Sequence, residues 1–130
     1  QKLSDIFVDF AEENFDDLTE ERIEKYRNAP FRAPLIVALV STKKDHPKVP
    51  EMEQIISTGT AGQNIMLALS ALGYGAIWRT GSFAFNNKIS EKFGLNENQT
   101  IIGYIYIGTP MGKKKSLPEM NTNDYISIWD

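Results

Sequence analysis

Glu51-Met52-Glu53-Gln54-Ile55-Ile56-Ser57-Thr58-Gly59-Thr60-Ala61-Gly62-Gln63-Asn64-Ile65-Met66-Leu67-Ala68-Leu69-Ser70-Ala71-Leu72 decides how this chain must be built. No proline interrupts it, and as a helix its 22 residues span roughly 33 Å at ~1.5 Å each. Met52, Ile55, Gly59, Gly62, Met66 and Leu69 form one stripe at helical spacing. Thr58, Ala61, Ile65, Ala68 and Leu72 form a second, about 120° away. A surface helix needs one apolar face, so this one is predicted to be covered on two sides. Its waist, Ser57 to Gly62, holds nothing larger than threonine. Two glycines inside a helix cost roughly 1 kcal/mol each against alanine, so close approach of another helix or a ligand is expected there. Gly73 falls where a helix C′ residue belongs. Glu51, Glu53, Gln54 and Gln63 rule out a membrane-spanning reading.

Downstream, Gly75-Ala76-Ile77-Trp78 reads as a short strand ending in Arg79-Thr80-Gly81-Ser82, and Asn87 to Phe93 as a short helix stopped by Gly94. Ile101 to Gly108 is a second buried strand, closed by Thr109-Pro110. The polar tail contains Lys113, Lys114 and Lys115 and ends in Tyr125-Ile126-Ser127-Ile128-Trp129. So apolar an extended end is expected to pair with a sheet edge, its own or a partner's.

Upstream, Ser41 to Pro50 is a solvated loop, and Leu35 to Val40 is an apolar run that suits a strand buried on both faces. Pro30 and Pro34 break any helix across Ala29 to Pro34. Asp17-Leu18-Thr19-Glu20 has capping-box spacing and opens a helix through about Arg27. Leu3, Ile6, Phe7 and Phe10 place another helix at the very start, after a Gln1 that is not an initiator methionine. The chain is therefore expected to be a single domain over 1–130 that lacks an upstream segment.

Length, at 130 residues, allows one core, and 42% hydrophobic with 24% charged residues is ordinary for a globular domain. A net charge of −3 argues against a nucleic-acid partner. The apolar runs are too short for a bilayer and no signal peptide is visible, so a cytoplasmic protein without membrane attachment is expected. With no cysteine and one histidine, His46 in a Lys-Asp-His-Pro loop, neither a metal site nor a Ser-His-Asp triad is expected. Asp16-Asp17 and Glu20-Glu21 fall at helix starts, where they favour the helix dipole. No catalytic side chain stands out, so if the protein is an enzyme a cofactor carries the chemistry. Trp78-Arg79-Thr80 is the exception: an aromatic, a planar donor fork and a hydroxyl at a strand end could clamp a flat anionic ligand. A surface arginine beside a packed tryptophan is the commoner reading of those residues.

Three segments carry a resemblance. Arg27-Asn28-Ala29-Pro30-Phe31-Arg32-Ala33-Pro34 leads into an apolar strand. The long helix runs into Leu72-Gly73-Tyr74-Gly75-Ala76-Ile77-Trp78-Arg79-Thr80-Gly81. The last is Ile102-Gly103-Tyr104-Ile105-Tyr106-Ile107-Gly108-Thr109-Pro110. In that order they resemble the minimal subgroup of the nitroreductase family, over about Arg27 to Pro110. The resemblance implies an α+β fold, a mixed and mostly antiparallel sheet flanked by helices, with the long helix at a homodimer interface. It implies FMN reduced by NAD(P)H, with electrons passed to nitroaromatics, quinones or similar small acceptors. By position, Trp78, Arg79 and Thr80 fall on the family's FMN-contacting stretch. Ala68, Leu69, Ser70, Ala71, Leu72 and Gly73 fall on one assigned to NAD(P)H, where the end of a core helix is an equal reading. The family's arginine-rich FMN-phosphate motif has no counterpart here: Arg22 and Arg27 lie on the wrong element, and Lys113 to Lys115 read first as a solvated charge run. A non-catalytic flavin-binding or dimeric interaction module of the same fold is the alternative.

Overall fold

The computed structural model describes residues 1–112 and 116–129. Helix α1 (Lys2–Asn14) and helix α2 (Glu20–Asn28) lead through a 3-10 turn (Ala29–Arg32) into strand β1 (Leu35–Thr42). Then follow helix α3 (Glu51–Ala71), strand β2 (Gly75–Arg79), helix α4 (Asn87–Lys92) and strand β3 (Gln99–Gly108). The strands form one antiparallel sheet in the order β1-β3-β2, a crossover that puts the last strand at the centre. Helices α1 and α4 pack on one face of the sheet and α3 on the other, with α2 docked against α1, so the fold is α+β in three layers.

Strand alternation divides the core in two. Ile36, Ala38 and Val40 of β1 join Tyr104 and Tyr106 of β3 under Ile6, Phe7 and Phe10 of α1 and Ile89 of α4. Val37, Leu39, Ile102, Ile105 and Ile107 point the other way, with Ala76 and Trp78 of β2, onto Ile55, Met66 and Leu69 of α3. The register slips between Leu39 and Val40, whose partners are Gly103 and Ile101, so Ile102 is an extra residue. This bulge lets adjacent isoleucines serve opposite faces: Ile101 is 0% exposed in one cluster and Ile102 4% in the other.

Ser4, wholly buried, donates its hydroxyl to the Arg27 carbonyl at 2.8 Å and ties α1 to the end of α2. The start of α2 differs from the expected capping box. Thr19, not Asp17, is the N-cap, its hydroxyl accepting from the Arg22 amide at 3.3 Å, and Glu20 is the first helical residue.

Three further expectations are met only in part within this chain. Strand β1 packs on both faces but, as a sheet edge, only partly: Leu35 is 54% exposed, and the strand buried nearly throughout is β3. The continuous apolar run of β1 reflects packing on both faces at partial burial. Helix α3 is covered by this chain on one side only. Gly62 is its sole buried residue, while Met52, Ile56, Ile65, Leu67 and Leu72 are exposed. The aromatic tail does not pair with this chain's own sheet: Thr122–Tyr125 is a 3-10 turn and Ile126 to Trp129 are exposed. Lys113, Lys114 and Lys115 lie outside the described residues.

Candidate functional site

The glycine waist of α3 has its compensation at one of its two glycines. A Cβ on Gly62 would stand 2.5 Å from both Leu39 Cδ1 and Trp78 Cζ3, so sheet and helix meet there at a distance only glycine allows. Gly59 meets nothing within 4 Å. From the strand side Gly103 leaves the same freedom, because a Cβ there would collide with the Trp78 pyrrole edge. The Trp78 indole thus lies between Gly62 and Gly103, inside the α3 layer.

Alternation then sends Arg79 to the opposite face. Arg79 pairs with Tyr104 and Ile77 with Tyr106 on β3, the tyrosine face of the sheet. So the structure does not bring the three side chains of Trp78-Arg79-Thr80 together. Arg79 and Thr80 reach one surface, and the Trp78 ring shapes the strand from behind.

On that surface Arg79 meets two residues that sequence reasoning missed, Arg32 and Tyr106. Together with Pro34, Ile77 and Pro110 they line a cleft of about 470 Å³ along β2, with no carboxylate among the described residues that line it. A smaller chamber of about 150 Å³ continues behind Arg32, Arg79 and Tyr106 and is lined also by Lys25, Thr80 and the rings of Phe7, Tyr26, Phe83 and Tyr104. Among the described residues neither Arg32 nor Arg79 is in an ion pair. Burial pushes the Tyr106 phenol above its ordinary pKa, and the Arg32 and Arg79 charges pull it part of the way back. Burial pushes Tyr104 up much further, and its hydroxyl donates to the Phe83 carbonyl at 2.7 Å. The signal for Tyr106 was the period-two spacing of Tyr104 and Tyr106. Arg32 stood in the Asn-Ala-Pro-Phe-Arg-Ala-Pro stretch, two residues before a proline that turns the chain into β1.

Ala68 to Gly73 form the last turn of α3 and its cap. The Gly73 amide donates to Ser70 O and the Tyr74 amide to Leu69 O, with Gly73 at φ +83°, the paired bonds of a Schellman motif. Ser70 and Gly73 line a cleft of about 380 Å³ with Gln63, Met66 and Tyr74. This cleft and the arginine cleft adjoin at Gly75, Ala76 and Pro110. Leu69 turns inward to the core, whereas Ala68, Ala71 and Leu72 face outward. His46 sits in a loop cleft remote from both, its Nδ1 accepting from the Lys48 amide at 3.2 Å.

The chain belongs to the nitroreductase family, whose family model matches residues 2–109. It is 43% identical over 94 residues to "Putative NAD(P)H nitroreductase YdjA" of Escherichia coli (strain K12), covering 72% of this chain and 51% of the relative. Its fold matches the crystal structure of a nitroreductase-like family protein from Bacillus cereus, with TM-score 0.73 and 20% identity, over 98% of this chain and 66% of that one. It also matches the FMN and NADPH-dependent nitroreductase NfnB from sphigopyxis sp. strain HMH, with TM-score 0.62 and 18% identity, over 95% and 56%. The chain spans about half the length of the curated relatives it matches.

Proposed function

We propose that this chain is the body of an FMN-dependent oxidoreductase that takes electrons from NAD(P)H, passes them to nitroaromatic, quinone or similar small acceptors, and works as a homodimer. One observation supports the flavin site above the others: in a chain of this family Arg79 opens from the end of β2 into a cleft with no carboxylate among its described lining residues, and Thr80 lines the smaller chamber beside it. The donor set fits. A guanidinium fork and a hydroxyl suit the electron-rich edge of a flavin ring, and no nearby carboxylate repels it. Bound FMN would supply the hydride-accepting and electron-donating centre.

The chain's own residues bind and orient. Arg79 donates to the ring edge, where negative charge gathers on reduction, and so favours the reduced form. Thr80 adds a hydroxyl donor, and Trp78 fixes the strand by filling the space between two glycines. Ser70 and Gly73, in the adjoining cleft, are the members of Ala68 to Gly73 best placed to meet a nicotinamide dinucleotide. No side-chain acid or base is assigned a proton transfer.

Titration with FMN, followed by flavin absorbance and potentiometry, tests the reading. Arg79→Ala should weaken binding by the equivalent of roughly 1.5–3 kcal/mol and lower the bound flavin's reduction potential. Arg79→Lys, with charge but no fork, should recover only part. An Arg79→Ala variant with wild-type affinity and potential would leave Arg79 a surface residue. Flavin binding without steady-state NAD(P)H oxidation would favour a storage role over an enzyme.

A further inference from the structure

We propose that the cleft between α4 and the turn into β3 is a calcium site, held by the carboxylates of Glu91 and Glu97, the carboxamides of Asn87 and Asn96 and the hydroxyl of Ser90. Helical spacing places three of these together, since Asn87, Ser90 and Glu91 stand at i, i+3 and i+4 along α4. The other two arrive because α4 stops at once. Gly94, at φ +73°, turns the chain back, its amide donating to the Glu91 carbonyl at 2.8 Å and the Leu95 amide to the Ser90 carbonyl at 3.0 Å. Asn96 then opens a turn closed by the Gln99 amide on its carbonyl at 2.9 Å, and the Gln99 side chain accepts from the Asn96 amide at 3.0 Å. Asn96 and Glu97 thereby line the same cleft as Ser90 and Glu91.

Ser90 is what points to a ligand. It is 6% exposed, its hydroxyl has no hydrogen-bond partner among the described residues, and it lines the cleft. A buried hydroxyl without a partner is costly, and a cation on its lone pairs would remove that cost. Charge agrees: two carboxylates line the cleft, with no Lys or Arg among the described residues beside them. The lysines of α4 turn to α1, Lys88 donating to Asn14 and Lys92 pairing with Glu13. Glu97 also borders the His46 cleft, but no lysine there pairs with it: Lys43 is taken by Glu51, and Lys44 is in no ion pair among the described residues. The donors are all oxygen. No three His, Cys, Asp or Glu gather among the described residues, so a transition metal has no seat of that kind. Two carboxylates with neutral carboxamide and hydroxyl oxygens suit calcium, which takes ~6–8 oxygens at ~2.3–2.6 Å and tolerates irregular geometry. Magnesium keeps its waters and demands a near-ideal octahedron. The absence of cysteine, on which metals were set aside in the sequence, has no bearing on a hard cation. Bound there, calcium would pin the end of α4 to the turn that starts the central strand.

The site is independent of the flavin reading and can be tested on the chain without flavin. Thermal unfolding and amide shift mapping are run against calcium chloride, with magnesium chloride and potassium chloride at matched ionic strength. Calcium should bind with a dissociation constant on the order of 10⁻⁴–10⁻³ M, raise the unfolding midpoint and shift the amides of Ser90, Glu91, Asn96 and Glu97. Magnesium should bind about tenfold more weakly. Glu91→Gln, at an exposed position, should weaken calcium about tenfold, whereas Glu119→Gln in the tail should leave it unchanged. Ser90→Ala separates ligation from packing. It removes an unpartnered hydroxyl, so stability without calcium should hold or rise while the calcium response falls. No calcium response at about ten millimolar, an equal response to magnesium or potassium, or full calcium affinity in Glu91→Gln would overturn the proposal. A Ser90→Ala variant that keeps the whole calcium response would overturn it as well.

Discussion

Gly62 and Gly103 hold Trp78 between them; Gly62 is needed for space, and Gly103 both for space and for its backbone at φ +156°. Gly62→Ala drives a methyl group into Leu39 and the indole and should cost about 1–3 kcal/mol, read as a lowered denaturation midpoint. Gly103→Ala should cost at least as much, and only the part due to the indole contact should vanish in a Trp78→Leu background, because the positive φ strains alanine whatever the space. A double-mutant cycle with no coupling would disprove the sandwich. Tyr104 and Tyr106 carry a pH prediction. Both phenols have raised pKa values, first through burial, so the folded state keeps protons that the unfolded chain gives up. Stability is then fully present below about pH 10, the ordinary tyrosine value, and falls as pH rises beyond it. In an ultraviolet titration two of the five tyrosines should ionise last, and Tyr104→Phe should soften the alkaline loss. Residue types at the site were legible in sequence, but side-chain direction was not. Trp78 and Arg79 are adjacent in sequence, and the pleat that separates them acts only once Gly75 to Arg79 is taken as a strand.

Among the elements, α3 was readable almost to the residue, because Pro50, the absence of later proline and Gly73 mark both ends. The cap predicts its own test. Gly73 has open space around it but φ +83°, so Gly73→Ala should cost about 1 kcal/mol through backbone strain alone. A larger loss on Gly73→Ala than on Gly62→Ala would reverse this order of causes. Strand β1 was legible as a strand and not as an edge, since an apolar run such as Leu35 to Val40 states what a strand buries and not which strand lies beside it. Centrality belongs to β3, which arrives last in the chain and enters between its two predecessors. Nothing local to Ile101–Gly108 encodes that order.

For the whole molecule, exposed area carries the argument. A compact monomer of this mass should expose about 6,900 Å², and this chain exposes 9921 Å². Part of the excess is the extended tail, where Met111, Leu117, Ile128 and Trp129 are each at least 86% exposed, and part is the outer face of α3. Met52, Ile56, Ile65, Leu67 and Leu72 contribute to it along α3. Sedimentation at micromolar concentration should give twice the monomer mass, and Ile56→Glu with Leu67→Glu should shift the equilibrium towards monomer. A monodisperse wild-type monomer would refute two-sided burial of the helix. The second apolar stripe was visible in the sequence; its occupant was not, since Ala61, Ile65, Ala68 and Leu72 are left exposed by the described residues.

The two tryptophans divide the molecule optically. Trp78 is part-buried between α3 and the sheet, and Trp129 is 93% exposed at the end of the tail. A soluble quencher such as acrylamide should extinguish the red-shifted emission of Trp129 and leave a blue-shifted remainder from Trp78. The chain therefore reports on itself without a label. Docking of the tail should move only the red component, and loosening of the α3 layer only the blue.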